Sequence, residues 1–292
     1  MSGTFGVGTT ARLKGRVVLL TGGSSGIGKA TALGLARMDV ELTLVCRDRG
    51  RGEEARKEIV ASSGNQSVDL IFADLLLQRE VRRAAAEFLS TRTRLDVLVN
   101  NAGSTFPRYA ETEDGIERTM ALNYFAPFLL TNLLLKVLEA SAPSRVVNVS
   151  SAAHYRGSLS LAEVKGTGSV GLGGMNAYSR SKLALNLFTF ELARREARKE
   201  VAANALHPGA VRTNIWSHAG VFSPFARLAS AFMPGAESGA RTPIYLASSP
   251  EVEGVTGKYF DDCRPKGPSA ESLDGELATK LWDLSLKMTG LA

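Results

Sequence analysis

Residues 16–28 read RVVLLTGGSSGIG. Val17 to Thr21 is a short apolar run, the pattern of a buried strand, and the glycines that follow open a helix near Gly26. Glycine has no Cβ, so a turn this rich in it lets the backbone close on a ligand. The N–H groups of the first helical turn, at the positive end of the helix dipole, then offer a site for phosphate. The spacing is Gly22-x-x-x-Gly26-x-Gly28 rather than G-x-G-x-x-G, so the dinucleotide rule applies by analogy. A glycine-rich turn also occurs where nothing binds, and the rest of the chain has to decide.

Outward from this stretch, strand and helix patterns alternate. A second strand spans Glu41 to Cys46, and Asp48 is placed to cap a helix from about Gly52 to Ser62 that ends at Gly64. VDLIFADL carries the third strand, a helix covers Glu80 to Ser90, and DVLVNNAG is the fourth strand. A helix is expected over Asp114 to Glu139, then RVVNVSS as the fifth strand. A helix from Tyr178 to about Lys199, the strand VAANALHPG and a short strand at Lys258 to Asp261 complete the pattern. Alternation without a hairpin signal predicts βαβ units, hence an α/β fold: a single-domain, Rossmann-type, doubly wound parallel sheet with helices on both faces. Within residues 1–292, residues 1–13 read as a flexible N-terminal segment, about 152–177 as an inserted loop and about 263–292 as a helical tail.

Composition is that of an ordinary globular chain, 44% hydrophobic and 22% charged. A net charge of +6 would suit a nucleic-acid partner, but the basic residues are dispersed and mixed with glutamates, as in ELARREARKE, so nucleic acid is not expected. No apolar run reaches 18 residues and the N-terminus lacks the apolar core of a signal peptide, so the expectation is a cytoplasmic protein without a transmembrane segment. The two cysteines, Cys46 and Cys263, have no metal-type spacing; no metal site is expected, and Cys46 in the apolar LTLVC reads as a buried reduced thiol.

Ligands of such sheets bind beyond the carboxyl ends of the strands. Those ends read TGGSSGIG, CRD, ADL, NNAG, NVSS and HPG, all small, polar or glycine-bearing. Downstream, Tyr178 and Lys182 lie four apart on a helix and share a face, and of the six tyrosines only Tyr178 has a lysine at that spacing. A tyrosine of ordinary pKa near ~10 is a poor base, and an adjacent ammonium is expected to lower it.

Together these stretches resemble the short-chain dehydrogenase/reductase family from about Lys14 to the C-terminus. The resemblance implies a catalytic set of Asn123, Ser151, Tyr178 and Lys182. Tyr178 would exchange a proton with a carbonyl or alcohol oxygen, Lys182 would tune it and bind the nicotinamide ribose, Ser151 would polarise the substrate oxygen, and Asn123 would hold a relay water; Ser150 is then structural. It also implies cofactor contacts from Gly22, Ser24, Ser25, Gly26, Ile27, Gly28, Arg47, Asp74, Leu75, Asn101, Ala102, Gly103, Pro208, Gly209, Val211 and Thr213, besides Tyr178 and Lys182. Arg47 at the end of the second strand favours the 2′-phosphate of NADP(H), with NAD(H) the alternative if Asp48 served the ribose instead. Lys29 is a weaker phosphate candidate.

CRD, NVSSAAH, YSRSKLALNLFTFELARR, HPGAVRTNI and the tail are similar to the retinol dehydrogenase-like branch. That similarity implies an apolar carbonyl or alcohol substrate, an aldehyde or ketone of retinal/retinol type or otherwise. A homodimer is compatible with the resemblance, because helices of this family often pair. The alternative from another class is a non-catalytic NADP(H)-binding redox sensor. Leu277, Leu281, Leu284 and Met288 recur at helical spacing in the tail with Trp282 nearby, a stripe expected to pack on the domain.

Overall fold

The computed structural model describes residues 13–166, 170–209 and 235–292. Strands β1 (Val17–Thr21), β2 (Glu41–Cys46), β3 (Val68–Phe72), β4 (Val97–Asn100), β5 (Ser144–Val149), β6 (Val201–His207) and β7 (Tyr259–Asp261) form one parallel sheet, joined at its edge by the antiparallel β8 (Arg264–Lys266). The order β3-β2-β1-β4-β5-β6-β7-β8 reverses direction between β1 and β4, and beyond their carboxyl ends such a reversal leaves a crevice.

The apolar runs are buried on both sides because helices cover both faces. Val18 and Leu20 pack toward α1 (Gly26–Ala36), α2 (Arg49–Ser63) and α8 (Ala236–Ser248). Val17 and Leu19 pack toward α3 (Gln78–Thr91), α5 (Ala126–Leu133), α7 (Met175–Arg195) and α9 (Gly275–Met288). This alternation is the two-residue period of a strand applied to a run with no polar member. The Asp48 cap is present as expected, its Oδ1 accepting from Arg51 N at 2.8 Å, and Gly64 ends α2 at φ +78°.

Three sequence expectations need correction. The helix expected from Asp114 begins at Arg118, because Gly115 turns the chain at φ +67° and the Glu117 carboxylate then caps Thr119 N and Met120 N at 2.9 and 3.1 Å. It also runs in pieces: α4 (Arg118–Met120), a π-helical turn Ala121–Phe125, α5 and α6 (Leu135–Ala140). Pro127, four residues after Asn123, has no N–H to return to the Asn123 carbonyl, and the π turn lies just before it, with Ala126 N–H donating to Ala121 O. Second, β7 and β8 do form a hairpin, and the tail opens as a strand. Asp262 and Cys263 both adopt positive φ (46° and 60°) between paired Asp261 and Arg264, the backbone of a tight two-residue turn without glycine to announce it. Third, the helix bearing Tyr178 starts at Met175 and stops at Arg195, and α8 carries an internal Pro243 that obscures its pattern.

The tail stripe packs on the domain as expected. Trp282 stacks on Phe188 at 5.7 Å and meets Phe128 edge-on at 5.2 Å, and the Arg195 guanidinium lies 4.6 Å from its ring. Tyr124 and Ser285 share a buried 2.6 Å hydrogen bond between α9 and the π turn. Cys46 is a free buried thiol, pushed up to about 11 by burial. No helix among the described residues is long and apolar enough to cross a membrane. Trp282→Ala removes the centre of the aromatic cluster and is expected to cost about 3–5 kcal/mol. Urea unfolding followed by fluorescence of the remaining tryptophan and by circular dichroism checks this, and a loss below about 1 kcal/mol would mean that α9 is not held by that ring.

Candidate active site

The glycine turn is held against β4 by close contact rather than by bulk. A Cβ on Gly28 would sit 2.1 Å from Gly22 O and 2.4 Å from Asn101 Nδ2, so only hydrogen fits there. Gly22 itself holds φ +73°. Thr21 at the end of β1 accepts the N–H groups of Asn101 and Ala102 through Oγ1, both at 3.0 Å, and Asn101 Nδ2 donates to Thr21 O at 2.9 Å. TGGSSGIG and NNAG thus form one rigid wall. Ser25 sits at the N-cap of α1 with its side chain not used for capping, and no acidic residue lies in the helix's first turn, so its N–H groups and dipole are uncompensated.

A cavity of about 620 Å³ runs along this wall. Of the residues expected to contact a cofactor, Gly22, Ser24, Ser25, Gly26, Ile27, Gly28, Arg47, Asp74, Leu75, Asn101, Ala102, Gly103, Tyr178, Lys182, Pro208 and Gly209 all line it, as does Ser151. Val211 and Thr213 lie outside the described residues. Asp74 fixes the exit of β3 by accepting from Leu76 N at 3.1 Å. Asp48 is engaged as the α2 cap, while Arg47 beside it is exposed on the cavity wall. Lys29 is drawn into an exposed pair with Glu58 at 2.6 Å.

Asn123 is placed differently. It is 1% exposed and is not part of the cavity wall. Its Oδ1 accepts from Ser104 N and its Nδ2 donates to Ser104 O and to Ser181 Oγ, all at 2.9 Å. The amide therefore grips the backbone of Ser104, next to Gly103, and joins it to α7.

Tyr178 and Lys182 are both buried beside the cavity, and the Ser151 hydroxyl lies close enough to Tyr178 to act on its phenol. Lys182 Nζ donates to Val149 O at 2.8 Å and stands 5.6 Å from the centre of the Tyr178 ring. Burial raises the Tyr178 phenol, against the smaller lowering effect of the Ser151 hydrogen bond, and burial lowers Lys182 to about 7. The expected lowering of the phenol by its lysine is thus not realised here: desolvation disfavours the charged form of both groups and prevails. Ser150 points away, its Oγ donating to Lys182 O at 3.3 Å, which fits a structural role.

Sequence reading missed several residues on the same wall. Arg51 reaches it because one helical turn returns it to Asp48, which it meets at 3.7 Å. Phe106, Leu122 and Met175 give the end near Ser151 an apolar side, and Arg156 and His207 stand there as well. Only His207 carried a usable signal, its place at the end of a strand. Among the described residues no group of three His, Cys, Asp or Glu is arranged to hold a metal.

The cleft carries a helix N-terminus on one part of its wall and a buried Tyr/Lys/Ser group on another. Residues 16–220 match the family model described as short chain dehydrogenase. Human retinol dehydrogenase 14 is 43% identical over 97% of this chain and 89% of its own length, and human retinol dehydrogenase 13 is 40% identical over 96% and 86%. A solved structure from Mycobacterium paratuberculosis superposes with a TM-score of 0.76 at 33% identity, covering 96% of this chain and 97% of the other. RhlG of Pseudomonas aeruginosa, solved as an active-site complex with NADP, superposes at 0.70 with 27% identity over 92% and 99%. Fold, cleft and kinship agree, and this chain belongs to the short-chain dehydrogenase/reductase family, in its retinol dehydrogenase-like branch, as an oxidoreductase that acts on CH–OH groups with a nicotinamide cofactor.

Proposed function

We propose that the protein is an NADP(H)-dependent carbonyl reductase or alcohol dehydrogenase for an apolar aldehyde or ketone and its alcohol, with Tyr178 as the acid/base. The observation that carries this is the Tyr178–Ser151 pair on the wall of a cavity whose other end presents Arg47 and Arg51. The residues present fit the cofactor: the wall at Gly28 leaves no room for a side chain, and the first turn of α1 offers uncompensated N–H groups to a pyrophosphate. Among the described residues Arg47 has no ion pair, and Asp48 beside it is used as a cap, which supports the 2′-phosphate of NADP(H).

When bound, the nicotinamide supplies or accepts the hydride. The protein's own part is proton transfer and orientation. Ser151 Oγ accepts from Ala153 N at 3.1 Å, which leaves its hydroxyl hydrogen for Tyr178 or for a substrate oxygen. In reduction, the Tyr178 hydroxyl donates its proton to the carbonyl oxygen as hydride arrives at the carbon, and in oxidation it takes that proton back. The raised phenol keeps Tyr178 in its proton-donating form at neutral pH, the form that carbonyl reduction requires. Lys182 holds the floor of the site to the end of β5 through Val149 O, and Asn123 holds the Ser104 backbone. Phe106, Leu122 and Met175 supply apolar contact for the substrate's body. A redox sensor without turnover would have no use for a Tyr178–Ser151 pair facing the cavity.

Tyr178→Phe is expected to leave NADPH affinity within about twofold while lowering turnover by about 10²–10⁴-fold, read with an aldehyde and ketone panel at the nicotinamide absorbance. Turnover near the parent rate would sink the assignment of Tyr178. Arg47→Asp should reduce the preference for NADPH over NADH by about tenfold or more, from the ratio of the two kcat/KM values. An unchanged ratio would place recognition of the phosphate elsewhere, with Arg51 the first alternative.

A further inference from the structure

His154 has no place in the chemistry above, yet it is wholly buried, at 0% exposure, three residues after Ser151. Its ring lies against Tyr155 at 4.0 Å and Tyr259 at 4.7 Å, tilted to both. Nδ1 lies 2.6 Å from Ser151 O, and Nε2 receives the backbone N–H of Ser269 at 3.1 Å. A carbonyl can only accept and a peptide N–H can only donate. Nδ1 must therefore carry the proton and Nε2 must be bare, so the two contacts define a neutral Nδ1–H imidazole. Burial pushes this group below the usual histidine range, in the same sense.

The Ser151 carbonyl belongs to the Ser151–Ala152 peptide, and the other end of that peptide is held too. Ala152 N donates to His207 Nδ1 at 3.3 Å. One peptide plane is thus gripped by two imidazoles, its C=O by His154 and its N–H by His207. The next N–H, that of Ala153, is the one that orients Ser151 Oγ at 3.1 Å. Rotation of the clamped plane would carry Ala153 with it and turn the serine hydroxyl away from Tyr178. The turn is seated closely as well, since a Cβ on Gly157 would meet Ser179 O of α7 at 2.6 Å. Ser269, the residue that locks the tautomer, belongs to the C-terminal segment: it caps the 3₁₀ turn Ala270–Leu273 just before α9. Tyr155 donates to the neighbouring Gly267 O and ties the same segment down.

We propose that His154 is a positioning residue for the reaction, which, as a neutral Nδ1–H imidazole braced by Ser269 of the C-terminal segment, fixes the Ser151–Ala152 peptide and so aims the Ser151 hydroxyl. This rests on the role of Ser151 proposed above. Binding energy spent on orienting a reacting group appears in kcat and not in cofactor affinity, which distinguishes aiming from general stability.

Two near-isosteres separate the two contacts. His154→Asn keeps a donor at the Nδ1 position for the Ser151 carbonyl and loses Ser269. His154→Gln keeps an acceptor for Ser269 and loses the carbonyl, and His154→Phe keeps only the ring contacts. With NADPH and a carbonyl substrate turned over by the parent enzyme, His154→Asn, which keeps the carbonyl contact and loses only the brace, should lower kcat by about three- to tenfold. His154→Gln and His154→Phe should lower kcat by about 10- to 100-fold, with substrate KM and NADPH affinity changed by less than about threefold. Parent-like kcat in the Gln and Phe variants would overturn the proposal, and so would equal losses in all three. Independently of activity and of any variant's folding, ¹⁵N NMR of the parent imidazoles at neutral pH should show His154 with Nδ1 protonated and Nε2 bare; an Nε2–H ring would equally overturn it. A parent enzyme that turns over no carbonyl would refute the proposed function while leaving the tautomer result standing.

Discussion

The structure depends on one close approach: the backbone of the β1–α1 turn against the strap that leaves β4. A notional Cβ on Gly28 would sit 2.4 Å from Asn101 Nδ2 of that strap, and one on Gly22 would sit 3.0 Å from Ala102 Cα, so the strap leaves room at Gly28 for hydrogen only. Thr21 Oγ1 secures the approach by taking two successive N–H groups from Asn101 and Ala102. Both segments leave the sheet at the point where strand order reverses, so the fold creates the crevice and the glycines determine how narrow it can be. Because the wall is backbone, its shape does not depend on side-chain rotamers, and a ligand meets a surface already organised.

The chemical end of the crevice rests on a different constraint, the cost of burying charge. Lys182 lies in the interior with a single carbonyl partner, and burial brings it to about 7. The Tyr178 phenol is raised for the same reason. Sequence spacing predicts the opposite for the tyrosine, because Coulomb attraction between neighbours four apart is easy to infer and desolvation is not. In a low-dielectric pocket the penalty on each ion is large, while the lysine's attraction is spent partly on the carbonyl it touches. The pair is therefore poised close to neutral, and any charge brought near it by a ligand acts with little screening.

Much of this was legible from residues. The apolar runs of β1, β2, β4 and β5 predicted strands buried on both faces, Asp48 predicted the cap that leaves Arg47 on the wall, and the strand ends predicted which residues line the cleft. What stayed illegible has a common cause: it depended on partners distant in sequence or on backbone choices without a residue marker. Asp262 and Cys263 take positive φ with no glycine between them, so the β7–β8 hairpin gave no turn signal. Asn123 could be singled out, but its grip on Ser104 and Ser181 required the fold to bring three segments together. His154 stands in NVSSAAH with no local sign of its role, since its partner Ser269 lies 115 residues away.

The helix carrying Tyr178 shows why the tail matters to the site. Sixteen of the 21 residues of α7 are buried, including Ser179, Arg180, Ser181, Asn186, Thr189 and Glu191, so no clean apolar stripe marks it. A helix buried nearly all round must have every side covered, and the C-terminal segment covers what the sheet does not. Trp282 packs on Phe188 behind the helix, and Thr279 reaches Glu191, which also holds Arg194 and Arg195. Further up the chain from α9, the same segment supplies the Ser269 N–H to His154 on the turn in front of Tyr178. The catalytic helix is thereby braced at its back and across its front by one stretch of chain. Residues that touch no ligand can in this way set the distance between Ser151 and Tyr178, and a loosened tail would be felt first as lost turnover rather than as lost cofactor binding.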